Sequence, residues 1–178
     1  MRYLQIFFML IYPTVVFAGN NYHVVVDGGR AEFQGEIVAE SCRVNVNNDR
    51  QYVDMGTVST RQFGDVGEYI NPTKFSVQLA DCNSFISSHV TAAFSGDSDS
   101  SFLTSASVGH GPHMADGVAI SLFDVNNNLI ELNDYFRPAI TIKDGNMDMT
   151  FFAKYVVTKN RVVGGRVNSL VDFKLIYQ

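Results

Sequence analysis

The chain has 178 residues, 46% of them apolar and 17% charged, which is enough for one well-filled core and little more. Its 12% aromatic content excludes a disordered chain, and 13 Lys and Arg against 18 Asp and Glu exclude a nucleic-acid binder that works through overall positive charge.

Met1 to Ala18 reads as a signal peptide, because Arg2 precedes an apolar run from Leu4 to Val16 that closes on the small-residue pattern Val16-Phe17-Ala18. The run is shorter than the roughly 20 residues needed to cross a bilayer. Cleavage after Ala18 is expected to leave a mature chain that starts at Gly19 and has no membrane span. From Asn20 to Phe33 runs a β-prone stretch with Gly28-Gly29 in its middle. Val24 and Val26 fall on one face and Ala31 and Phe33 on the other, so the apolar register changes across the glycine pair. The stretch reads either as a first strand of the core or as a segment that another backbone approaches closely at the glycines.

Export places Cys42 and Cys82 where a disulfide persists, and no third cysteine competes. Their pairing closes a loop of about 40 residues, which the chain-entropy model credits with roughly 4 kcal/mol. Two cysteines are too few ligands for a metal site.

From there the chain alternates with period two, as strands do, and shows no sustained helical stripe. Phe75, Val77 and Leu79 alternate with polar neighbours, as do Val90, Ala92 and Phe94, then Val118, Ile120 and Leu122, then Phe151, Ala153, Tyr155 and Val157. Each run is expected to have one wet face. Asn126-Asn127-Asn128 predicts a turn leading into Leu129 to Leu132 as a hairpin. The last run puts Val167, Val171, Phe173, Leu175 and Tyr177 on one face, and no closing strand is expected after it. Turn-rich stretches at Gly64 to Pro72, Ser95 to Ser101, Ser107 to Gly117 and Lys143 to Asn146 space these runs as in an antiparallel sandwich.

Motifs for catalysis are missing: there is no Gly-x-Ser-x-Gly elbow, no Gly-rich phosphate loop and no His-Glu-x-x-His pair. His110 and His113 flank Gly111-Pro112 with Asp116 as the only nearby carboxylate, a poor metal site and a better solvated loop. His23 and His89 read as surface positions, and Asp97 to Ser101 as a solvated turn. Asp144, Asp148 and Asp172 are too scattered for a paired-carboxylate glycosidase. No enzyme, cofactor or metal is expected.

Several segments together resemble the pilins, the fimbrial subunits of the chaperone–usher pathway of the type 1 pilus kind. They are Gly35-Glu36-Ile37 leading to Cys42, Met55-Gly56-Thr57-Val58, Phe75 to Leu79 running to Asp81-Cys82, Phe94-Ser95-Gly96, Gly117 to Ile120, Phe152 to Tyr155, and the ending Phe173 to Gln178. Ser107 to Pro112 and Arg161 to Gly165 look like loops of the minor subunit that ends rod growth. The resemblance implies an all-β, incomplete immunoglobulin-like sandwich that lacks its last strand and is completed by a donor strand from a partner. It implies an extension over residues 19–34 that carries the donor strand with Val24, Val26, Gly28, Gly29, Ala31 and Phe33, followed by a pilin domain over 35–178. Val171, Phe173, Leu175 and Tyr177 would border the acceptor groove, with Tyr177 recognised by a periplasmic chaperone. The implied partners are that chaperone, an outer-membrane usher and neighbouring subunits, and the implied location is the surface fimbria of a Gram-negative bacterium. The competing reading is a monomeric secreted or periplasmic binding module in which Asn20 to Phe33 folds back as the seventh strand. An exported sandwich enzyme of the copper–zinc superoxide dismutase type has too few ligands in four scattered histidines.

Overall fold

The computed structural model describes residues 32–35, 40–45, 51–135 and 139–178. The expected signal peptide and most of the expected extension lie outside the described residues. The chain divides into the units Met1–Ile37 and Val38–Gln178, and the fold set out here is that of the second.

Among the described residues nine strands make two sheets: β1 (Arg43–Val44), β2 (Tyr69–Cys82), β3 (His89–Gly96), β4 (Ala106–Ser107), β5 (Val118–Phe123), β6 (Leu129–Ile130), β7 (Ile140–Thr141), β8 (Gly145–Val157) and β9 (Val171–Tyr177). One sheet runs β1-β2-β8-β5-β4 with β6 also on β5, and the other runs β7-β3-β9. Every pairing between these strands is antiparallel. The period-two runs seen in the sequence supply the inner faces. Val77, Leu79, Met149, Phe151, Ile120 and Leu122 come from the first sheet, and Val90, Ala92 and Phe94 from the second. Four phenylalanines join the layers. Phe94 sits 5.1 Å from Phe151, 6.2 Å from Phe75 and 6.5 Å from Phe173, ring centre to ring centre. Such offset and edge-on contacts add to the burial of the rings themselves.

Three details depart from the sequence reading. The stretch Gly64 to Pro72 is not all turn, because β2 begins at Tyr69 and runs straight through Asn71-Pro72. The ladder tolerates proline there because the register shifts between Ile70 and Thr73, and a bulge needs no donor from its extra residue. Asn71 takes the positive φ of +54° at this bulge and its side-chain amide donates to the Met55 carbonyl at 2.8 Å. Similarly, β8 starts at Gly145, inside the expected turn Lys143 to Asn146.

The third departure is that β5 and the Val90 to Phe94 stretch of β3 have no wet face: all six residues of β5 are buried, as are all five of that stretch. Ala119 and Ser121, which alternation turned outward, are wholly covered. Ser105 Oγ and Ser121 Oγ lie 2.7 Å apart, while Tyr69 packs edge-on against Phe123 and the Lys154 ammonium sits 4.0 Å over the same ring. Small residues read as a solvent face in sequence, yet here they admit covering side chains. The Asn126 to Asn128 turn does form, gripped by Asp124, whose carboxylate accepts from the Asn126 and Asn128 amides at 2.9 and 2.8 Å. The strand beyond it is shorter than expected and ends at Ile130.

Candidate functional site

The second sheet is the unusual one. β3 is flanked on both sides, by β7 and β9, and its residues Val90 to Phe94 are all buried. β9 pairs with β3 from Val90↔Tyr177 to Gly96↔Val171, and among the described residues no strand pairs with its other edge. That edge is seven residues long. Its inward side chains Val171, Phe173, Leu175 and Tyr177 pack against the core but are only half-buried, while Asp172 and Lys174 point out. An edge of this length with an apolar inner face is what natural sheets ordinarily cover or blunt with charge. The amino-acid alternation makes β9 a strand with an inner and an outer face, and the want of a neighbour leaves its inner face half-covered.

The carboxyl end of β9 is anchored. The Gln178 amide donates to the His89 carbonyl at 3.0 Å, and the amides of Ser88 and His89 donate back to the Gln178 carbonyl. Tyr177 spans the gap between the sheets, its hydroxyl donating to the Cys42 carbonyl at 3.0 Å. Burial, with the Glu40 carboxylate adding to it, holds the Tyr177 phenol above its ordinary pKa. Cys42 is in turn bonded to Cys82 at the end of β2, the pairing expected from the export context. The bond holds the segment before β1 against β2, and the Arg43 guanidinium pairs with the Asp81 carboxylate beside it. Sequence reasoning assigned Tyr177 to the site but missed its partner, since a main-chain carbonyl carries no signature in residue type.

At the other end of β9 lie the two loops singled out by the resemblance, and the stretch that follows the first of them, His113 to Gly117, is clasped to the second. The amides of Asp116 and Val163 donate to each other's carbonyls at 3.1 and 2.9 Å, and the Ala115 amide donates to the Arg166 carbonyl at 2.8 Å. Gly117 and Gly165 permit this closeness. A Cβ on Gly117 would lie 2.5 Å from the Arg161 oxygen, and one on Gly165 would lie 2.3 Å from the Met114 carbonyl carbon. The Asp116 carboxylate accepts from the Lys159 ammonium at 2.6 Å, a contact that holds it below the usual carboxylate range. His110 and His113 are exposed on this loop, and among the described residues no group of three or more His, Cys, Asp or Glu gathers as metal ligands would.

Of the expected donor residues, Val24, Val26, Gly28, Gly29 and Ala31 lie outside the described residues. Phe33 is described, outside any strand and 93% exposed.

Residues 31–178 match the fimbrial protein family. The chain belongs to that family. Long polar fimbria protein A of Salmonella typhimurium is 33% identical over 150 residues, covering 84% of each chain. Among solved structures, a Burkholderia pseudomallei antigen and type I fimbria protein is 27% identical with a TM-score of 0.59, covering 80% of this chain and 91% of its own. The P pilus rod subunit PapA superposes with a TM-score of 0.61 at 20% identity, covering 78% of this chain and all of PapA, which speaks for the fold. The fimbrial chain is thus an all-β, immunoglobulin-like sandwich that lacks a strand, and a structural subunit of chaperone–usher pili rather than an enzyme. Fimbrial subunits of Gram-negative bacteria form cell-surface pili alongside neighbouring pilins, which implies export through the periplasm.

Proposed function

We propose that this fimbrial subunit polymerises by exchanging strands, with residues 19–34 as the extension that donates and β9 as one wall of the groove that accepts. One observation carries the reading: among the described residues, β9 offers an unpaired edge of seven residues above an inner face that stays half-buried. An added strand would satisfy the free amides and carbonyls of that edge, and its alternate side chains would cover Val171, Phe173, Leu175 and Tyr177. Val24, Val26, Ala31 and Phe33 supply apolar side chains for that purpose, and Gly28-Gly29 admits a close backbone. Before assembly the same edge is the place for a periplasmic chaperone, with Tyr177 in its footprint, and the usher receives the subunit from that complex. Cleavage after Ala18 would free the extension, and the domain would run from residue 35 to 178.

The rod-ending role is the narrower assignment within this reading, and it rests on the likeness of loops 107–112 and 161–165 to those of such a subunit. A rod-ending subunit donates a strand but accepts none, so the open edge of β9 favours a subunit that does both.

The test is removal of residues 20–33. Chaperone complexes of the shortened chain are expected to remain folded yet fail to form a two-subunit species when mixed with a pilin that has an open groove. Unfolding of the shortened chain would favour the monomeric binding module, in which the segment belongs to its own core. Undiminished two-subunit species would remove the donor role.

A further inference from the structure

Strand donation by residues 19–34 fixes more than a groove, because the donor segment is tied by a short connection to a folded body that has to go somewhere. The place of that body depends on the donor role proposed for the extension. Residues 35–39 separate the proposed donor from Glu40, and at roughly 3.3–3.6 Å per residue the connection reaches about 20 Å at full stretch. The donating body therefore sits close to the end of the groove where its strand emerges. All pairings between strands in this domain are antiparallel, the arrangement that is also the more stable per residue. A donor antiparallel to β9 enters beside Tyr177 and leaves beside Val171, so the donating body abuts the Val171 end of the acceptor.

The face it brings there is known, since the chain enters the domain next to the turn between β2 and β3: the Asn83 amide donates to the Ser41 carbonyl at 2.7 Å. That turn displays Phe85, 94% exposed, and Ile86 beside it. It is not a loose turn. The Phe85 amide donates to Asn83 Oδ1 at 3.0 Å, the Ile86 amide to the Asn83 carbonyl at 3.2 Å, and the Ser84 amide to Asp144 Oδ1 at 2.7 Å. Lys143, exposed, precedes Asp144 in the chain. An aromatic side chain held out on a fixed turn loses little freedom on binding, which is what makes such residues strong anchors.

The Val171 end of the domain holds the matching feature, an open cavity of about 590 Å³ lined by Asp97, Ser107, His110, Asn168 and Leu170 among others. Leu170 is 81% exposed at its rim, and Asp97 is exposed within it. The anchor and the cavity occupy opposite ends of the β3–β9 pair, as the register from Val90↔Tyr177 to Gly96↔Val171 requires. Two unlike patches at opposite ends of one chain form a heterologous contact, which propagates into a line. We propose that Phe85 of one subunit seats in the cavity beside Leu170 of the next copy, with Lys143 facing Asp97, as a body-to-body contact that accompanies each donated strand.

The experiment places the photo-reactive residue p-benzoylphenylalanine at position 85 of the full chain, co-expressed with its chaperone and usher. Joined subunits are irradiated and the cross-linked peptides are read by mass spectrometry. Cross-links to residues 97–110 or 168–171 of the neighbour are expected. Joined subunits that cross-link instead to the neighbour's own Phe85 turn, or not at all, would overturn the contact while leaving strand donation standing. Failure to form joined subunits with the wild-type chain would overturn the donor reading, and this contact with it. Asp97→Lys is expected to lower the cross-link yield about twofold to fivefold, the scale of one exposed ion pair, and adding Lys143→Asp to restore it. A double variant as poor as the single one would remove the Lys143–Asp97 pairing.

Discussion

β8 and β9 are built from the same kind of sequence and end in different environments. Both alternate apolar and polar residues, and both send phenylalanine into the shared aromatic cluster. β8 lies between β2 and β5, and its inward residues Met149, Phe151, Ala153 and Tyr155 are all buried to 4% exposure or less. Among the described residues β9 has β3 on one side only, and its four inward residues stay half-buried. Alternation determines which side chains face the core, while the count of neighbouring strands determines how completely they are covered. In a monomer the second condition would be a defect, whereas under the strand exchange proposed above it leaves a place for a partner.

The largest effects should separate the two strands. Phe151→Ala empties a site surrounded by Phe75 at 5.5 Å and Phe94 at 5.1 Å, and should cost about 3–5 kcal/mol in urea unfolding. Phe173→Ala removes a ring that is already half in water, and in the chain without a partner should cost about 1–2 kcal/mol, since only part of its transfer energy is realised. A donor peptide covering β9 should enlarge the Phe173 penalty and leave the Phe151 penalty nearly unchanged. Equal penalties in the unpartnered chain would mean that the two strands are equally covered. Breaking the disulfide by Cys42→Ala with Cys82→Ala opens a loop spanning 40 positions and should cost about 4 kcal/mol, measured by the same unfolding curve with the oxidised wild type as reference.

The clasp at the start of β9 should respond next. Gly117 has φ +84°, and an added Cβ would press on the Arg161 carbonyl. Gly117→Ala therefore combines overpacking with a left-handed backbone and should cost about 2–3 kcal/mol in the same unfolding measurement. Gly111 also has a positive φ, of +137°, but open space around it, so Gly111→Ala should cost about 1 kcal/mol, the backbone part alone. A similar loss at both positions would show that the closeness of the two loops contributes nothing.

Much of this fold was legible in the sequence because period-two alternation over Phe75 to Leu79, Val90 to Phe94, Phe151 to Val157 and Val171 to Tyr177 states both the element and its inner face. The disulfide was legible from two cysteines in an exported chain. The features that escaped depend on contacts distant in sequence. β2 crosses Asn71-Pro72 because a bulge removes the demand for a donor, and nothing local announces the bulge. β5 is buried on both faces because Ser105, Tyr69 and Lys154 cover it from elsewhere in the chain. The inward residues of β9 were legible as one face of a strand, but their half-buried state comes from sheet order, which no single strand encodes.

Tyr177 gives the finest test of the comparison, since it is the point where the open strand is tied to the closed sheet. Tyr177→Phe keeps the ring in place and removes only the hydroxyl that donates to the Cys42 carbonyl at 3.0 Å. The expected loss is about 0.5–1.5 kcal/mol, the net worth of one neutral hydrogen bond. Its pH dependence identifies the bond. The folded phenol titrates above its ordinary value, so its contribution is fully present below that value, near pH 10. It falls away as pH rises through the folded pKa, where a phenolate can no longer donate and meets the Glu40 carboxylate instead. Wild type and Tyr177→Phe should therefore differ most at neutral pH and converge in alkaline solution, as read from urea midpoints across roughly pH 7 to 11. A constant difference across that range would assign the Tyr177 effect to packing of the ring, and would leave β9 joined to the first sheet by apolar contact alone.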